Sequence, residues 1–99
     1  MRLPAEAFSV KPGGVVENLR VGGDLVTHGA DVNTYAVEGG RVGAIDIRGQ
    51  VLAHGNGSNA VLVTNKGSTP LTNVRASAKA GKNLVVTDGQ VTDRTGLAA

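Results

Sequence analysis

Two stretches decide the fold: "THGADVNTYAV" (27–37) and "AHGNGSNAVLV" (53–63). Both open on a small residue followed by His-Gly. Both pass through small polar residues to an Asn and enter a short apolar run that closes on Val. His28 and His54, Gly29 and Gly55, and Val37 and Val63 are each 26 residues apart, and Gly81 extends the glycine series by another 26.

Working outward, the chain divides into four similar segments, at residues 7–29, 34–55, 60–81 and 83–96. Each opens with an apolar strand ending at Val10, Val37, Val63 or Val86. A glycine turn follows ("KPGG", "EGG", "TNKG", "TDG"), and then an alternating strand. Leu19, Ile45 and Leu71 keep the period of 26, as do Leu25 and Val51. The fourth copy is truncated and its turn is shorter. Short β-branched runs bounded by Gly, Asn and Asp read as strands and turns.

A unit of this size fits one coil of a three-faced β-solenoid. Coils would stack about 4.8 Å apart. Equivalent side chains would then form ladders: Phe8–Tyr35–Val61–Leu84, Val10–Val37–Val63–Val86 and Leu19–Ile45–Leu71. The reading is a single all-β domain over residues 1–99, a short β-solenoid or β-helix. The alternative is a compact β-sandwich or barrel of about eight short strands. There "VEGGRV" (37–42) would be a hairpin pairing Val37 with Val42.

Composition narrows the function. The chain has 99 residues, 15 Gly, no Cys, no Trp, and one each of Phe, Tyr and Met. A core of Val, Leu, Ile and Ala in so short a chain is thin, which favours oligomerisation. Without Cys there is neither a disulfide framework nor a thiolate metal site. The net charge is +2. From Ala53 onward Lys66, Arg75, Lys79, Lys82 and Arg94 face only Asp88 and Asp93. This mild basic bias comes without aromatic residues to stack on bases, so nucleic acid is not an expected partner. No apolar run approaches the roughly 18 residues of a membrane span, so no membrane partner is expected either. "MRLPAEAFSV" (1–10) carries no apolar core of a signal peptide.

Three resemblances bear on this reading. "HGADVN" (28–33) and "GSTPL" (67–71) look like the end and start of an ankyrin repeat, which implies a helical, protein-binding solenoid. The segment "VVENLRVGGDLVT" (15–27) argues against it, because Gly22-Gly23 sits where a helix loses about 1 kcal/mol per Gly. Residues 27–81, with "GNGSNAVLV" (55–63) as the clearest unit, resemble the repeats of pertactin-like autotransporter passengers and the coils of phage tailspikes. This implies a right-handed β-helix used as an adhesive or structural shaft. The chain departs from the passengers in having no signal peptide, few coils and no translocator domain. "VLVTNKGSTPLTNVRAS" (61–77) is similar to a strand–turn–strand of immunoglobulin-like repeats in bacterial surface proteins, which implies a turn at Asn65 and Gly67.

Chemistry-bearing residues are sparse. His28 and His54 would stack on adjacent coils, with Asp24 and Asp31 the nearest carboxylates in sequence. Zinc would need one of these as a third ligand, and the expectation is two solvent-facing side chains at strand ends, with no metal site. Asp46 and Arg48 flank Ile47 on the face away from the core, as a surface ion pair would. "HGNGSNAV" (54–61) lacks the Lys-Ser/Thr of a phosphate loop. No catalytic residue and no cofactor site is expected.

The expectation is therefore a non-enzymatic structural or assembly module on a particle surface. A bacteriophage virion component (head decoration, spike or tail protein) fits best. It would be made in the cytoplasm and built into a capsid or tail lattice. The alternative is an excerpt of a secreted bacterial adhesin, located outside the cell or on its surface, that binds carbohydrate or protein. Unpaired strand edges would drive self-association, with a homotrimer as the expected symmetry. The assembly edge is expected at Phe8 and Val10 on one side and at Leu84, Val85, Val86 and Val91 on the other.

Overall fold

A computed structural model describes residues 7–97. The chain is a parallel β-solenoid of about three turns with no helix among the described residues. The first coil contains β1 (Phe8–Val10), β2 (Val15–Val21) and β3 (Leu25–Thr27). The second contains β4 (Asn33–Glu38), β5 (Arg41–Ile47) and β6 (Gln50–Asn56). The third contains β7 (Asn59–Thr64), β8 (Ser68–Thr69) and β9 (Arg75–Ala80). A partial fourth coil adds β10 (Leu84–Thr87) and β11 (Gln90–Val91). Corresponding strands stack into three sheets, ordered β1-β4-β7-β10, β2-β5-β8-β11 and β3-β6-β9. Every pairing is parallel. Parallel neighbours need a long crossover; here the other two strands of each coil supply it.

Two of the expected ladders form in full. Phe8 pairs with Tyr35, Tyr35 with Val61, and Val61 with Leu84. Val10, Val37, Val63 and Val86 follow in the same sheet. Leu25 pairs with Val51. The third ladder forms in part. Leu19 pairs with Ile45, but the register then moves to Arg41 opposite Ser68, a step of 27 instead of 26. Proline has no amide to offer a sheet, and β8 stops at Thr69, before Pro70. Leu71 lies beyond it, donates its amide to the Asp93 carbonyl at 2.7 Å and is fully buried.

The sandwich or barrel, the ankyrin unit and the immunoglobulin-like pairing are all overturned. Val37 pairs with Val63, and Val42 with Val16. "VEGGRV" is therefore a corner between two sheets and not a hairpin. Gly39 there has φ +90°. The turn expected at 65–67 exists, with Asn65 and Lys66 at φ 55° and 64°. It also sends the chain into a different sheet. The hairpin signal reports a tight turn, and a solenoid corner uses the same residues.

The core is lined by Tyr35, Val37, Val61 and Val63 from one sheet, Val42 and Ile47 from the next, and Val51 and Ala76 from the third, all buried. Polar groups enter it only when paired. The Tyr35 hydroxyl lies 2.7 Å from Thr69 Oγ1, which donates to the Pro70 carbonyl at 2.9 Å. Thr34 Oγ1 donates to the Leu52 carbonyl at 2.9 Å.

Burial pushes the Tyr35 phenol from 10.0 up to about 12, opposed in part by the hydrogen bond to Thr69. The folded state therefore holds this proton more tightly than the unfolded chain. The stability it contributes is intact below pH 10 and is lost as pH rises from 10 to about 12, about 2–3 kcal/mol across the window. Tyr35→Phe is expected to remove this component of the alkaline decline. Chemical denaturation of both proteins at a series of alkaline pH values checks it.

The corners carry their own order. Ser58 is fully buried, and its hydroxyl donates to the Gly29 carbonyl at 2.8 Å while accepting from the Val32 amide at 3.1 Å. One side chain thus ties the corner of the second coil to that of the first. Ser58→Ala leaves the amide of buried Val32 without its partner, with an expected loss of about 1–3 kcal/mol. A shifted urea midpoint at unchanged slope would report it.

Candidate functional site

The strands that end each stack are the first candidate. In sheets one and two the last strands are β10 and β11; in sheet three it is β9. The top of the stack is thus stepped by one strand. Inside the stack each ladder residue is covered from both sides, so Val37 and Val63 are fully buried. In β10 the same ladder has a neighbour on one side only. Val86 there is 37% exposed, whereas Val10 at the other end of the ladder is 4% exposed. Leu84, Val85 and Val91 are half-buried. The partial coil is held along its path by corner hydrogen bonds. The Lys66 amide donates to the Asp88 carbonyl, and the Gln90 amide to the Gly67 carbonyl at 2.9 Å. Asp93 accepts from Thr95 and from the Thr72 hydroxyl, and these bonds, those to Thr95 foremost, hold its carboxyl below the usual carboxylate range.

At the opposite end Phe8 is half-buried and stacks on Tyr35 with ring centroids 5.1 Å apart. Val10 is buried, although it lies on the end strand. Val15 of β2 is 62% exposed. The structure brings the six expected edge residues to the two ends of the stack: Phe8 and Val10 at one, Leu84, Val85, Val86 and Val91 at the other.

The second candidate is the outer face of sheet three. Thr27, Ala53 and Gly55 are buried, so the intervening side chains of β3 and β6 point outward. His28 and His54 are both exposed, and their rings stack at 5.1 Å with an interplanar angle of 10°. Alongside runs a shallow depression lined by Leu52, Ala53, His54, Ser77 and Lys79. Asp24, one of the two carboxylates nearest in sequence, is engaged elsewhere: its Oδ1 accepts from the Gln50 amide at 2.7 Å. Asp31 sits in the corner at φ 58°. Among the described residues no three His, Asp or Glu side chains gather where they could share a metal ion.

Asp46 and Arg48 are exposed on either side of buried Ile47, and Asp46 stands opposite Arg20 in the strand register. Sequence reasoning missed the Ser58 tie and the Tyr35–Thr69 pair. The 26-residue spacing of Val32 and Ser58 was visible, but a hydroxyl answering an amide leaves no hydropathy signal. No known family, no curated protein and no solved structure matches this chain.

Proposed function

We propose that the chain is a non-enzymatic assembly module whose terminal coil docks onto further protein, and that it serves as a surface component of a particle. A bacteriophage virion, as a head-decoration, spike or tail protein, is the setting this reading favours. The observation that carries it is Val86: it belongs to a ladder that is fully buried at Val37 and Val63, yet it is 37% exposed in β10. An edge strand with one unsatisfied side invites strand addition. Another copy or a lattice protein adding to β10 would cover Val86 and pair its backbone. A closed homotrimer is the expected form of self-association. Excerpted from an adhesin, the same shaft would instead carry a ligand-binding tip, a reading that rests on the repeat pattern alone.

The expected result is concentration-dependent mass by light scattering over a dilution series, with amide exchange in residues 84–91 slowing as the assembly forms. Val86→Asp should abolish the assembly and leave the monomer folded, because its side chain is already partly in water. A wild-type monomer at every concentration, with residues 84–91 already protected, would overturn the proposal of self-assembly.

A further inference from the structure

We propose that His28 and His54 form a two-point chelate for a borderline divalent transition cation, copper above all, that staples the first coil to the second. The two are the only histidines in the chain. The fold places His54 on β6 and His28 just past the end of its parallel neighbour β3, both exposed, with rings nearly parallel at 5.1 Å. Imidazole nitrogens bind such ions at about 2.0–2.1 Å, so two donors on one ion stand at most about 4 Å apart. The stacked rings hold their in-plane nitrogen lone pairs side by side, so chelation needs rotation about the side-chain torsions of these two exposed residues to turn one nitrogen of each toward a shared ion. Water would complete the coordination, so a third protein ligand is not required.

The surroundings set the class of ion. The strands of this sheet, LVT, QVLAHGN and RASAKA, contain no carboxylate. Hard oxygen-seeking ions such as magnesium and calcium therefore have no donors here. Imidazole suits zinc, nickel and copper, and the usual order of stability puts copper first. Lys79 shares the depression with His54. Its ammonium repels an arriving cation, so it weakens the site and removing its charge should strengthen it.

The staple has a structural effect. His28 directly follows β3, an end strand of three residues whose one strand partner among the described residues is β6. An ion bound by both rings bridges that strand to its neighbour, and a ligand that favours the folded state raises its stability. This inference does not depend on the assembly role.

The test uses the full chain titrated with cupric ion, then nickel, zinc and magnesium. It follows the melting temperature and, for copper, the nitrogen hyperfine pattern of its electron spin resonance. The expected order is copper, nickel, zinc, with no effect of magnesium. Two linked donors bind far more tightly than one. His28→Gln and His54→Gln should therefore each weaken copper binding by about a hundredfold, down to the level of the double variant. Lys79→Gln should bind copper more tightly than wild type. Additive losses in the single variants, copper binding that survives the double variant, or a melting temperature that copper leaves unmoved would each overturn the proposal.

Discussion

Gly55→Ala is expected to destabilise the fold by about 3 kcal/mol or more, although it adds a single methyl group. A Cβ at this position would lie 2.0 Å from the Gly29 carbonyl oxygen and 2.5 Å from its carbon. Both are backbone atoms of the coil below, so no rotamer change relieves the clash. The corner cannot open, because the Asp31 amide donates to the Asn56 carbonyl at 3.0 Å and Ser58 clamps Gly29. Gly81 repeats the constraint one coil on, with its Cβ position 2.0 Å from the Ser58 carbonyl oxygen. Gly22 supplies the contrast, since nothing lies within 4 Å of a Cβ there. Gly22→Ala should be neutral or stabilising by up to about 1 kcal/mol, through the unfolded chain. Denaturation of the two variants side by side checks the pair. Equal stabilities would mean that the corners are not stacked as described.

Val63→Asp should unfold the domain. Val63 is fully buried between Val37 and Val86 in the central ladder. The core cluster it belongs to is aliphatic and aromatic, and its one hydroxyl, on Tyr35, is already engaged with Thr69. Burying an unpaired charge costs several kcal/mol, comparable with the whole stability of a small domain, about 5–15 kcal/mol. Val86→Asp applies the same chemistry one strand on in the same row, where one side is open, and should be tolerated. Circular dichroism and thermal melting of both proteins give the comparison. A cooperatively melting Val63→Asp protein would contradict the inward direction of this ladder.

Much of the fold was legible because a solenoid writes its contacts into the sequence at nearly constant offsets, 27, 26 and 23 residues along the ladder Val10, Val37, Val63 and Val86. Val10, Val37, Val63 and Val86 recur for the same reason that they touch. Gly55 and Gly81 recur because each corner passes too close to the backbone of the coil below, at Gly29 and at Ser58, for a Cβ to fit. The offset fails where the coil length changes. One extra residue between Arg41 and Ser68 shifts the register there, and β8 ends at Thr69, so the strand pairing of Leu19 with Ile45 does not extend to Leu71. The stacking of His28 on His54 was foreseeable from spacing. Their outward direction was expected too, whereas the engagement of Asp24 with the Gln50 amide was not. The exposure of Val86 belongs to the last strand of a sheet, and hydropathy does not distinguish it from the Val63 beneath it.

The absence of any strand pairing within a coil has a kinetic consequence. Each described pairing joins residues more than twenty positions apart, so no hairpin forms early to seed the next. The first coil-on-coil contact must close a loop of about 26 residues, which costs about 3 kcal/mol of chain entropy before any ladder rewards it. That step sets a slow nucleation event for so small a chain. Once two coils are stacked, a third meets a finished template, and ordering spreads from the middle toward the ends as in other linear arrays. Unwinding runs the other way. The two-residue strand β11 should be first to exchange its amides, and the β4–β7 pairing last.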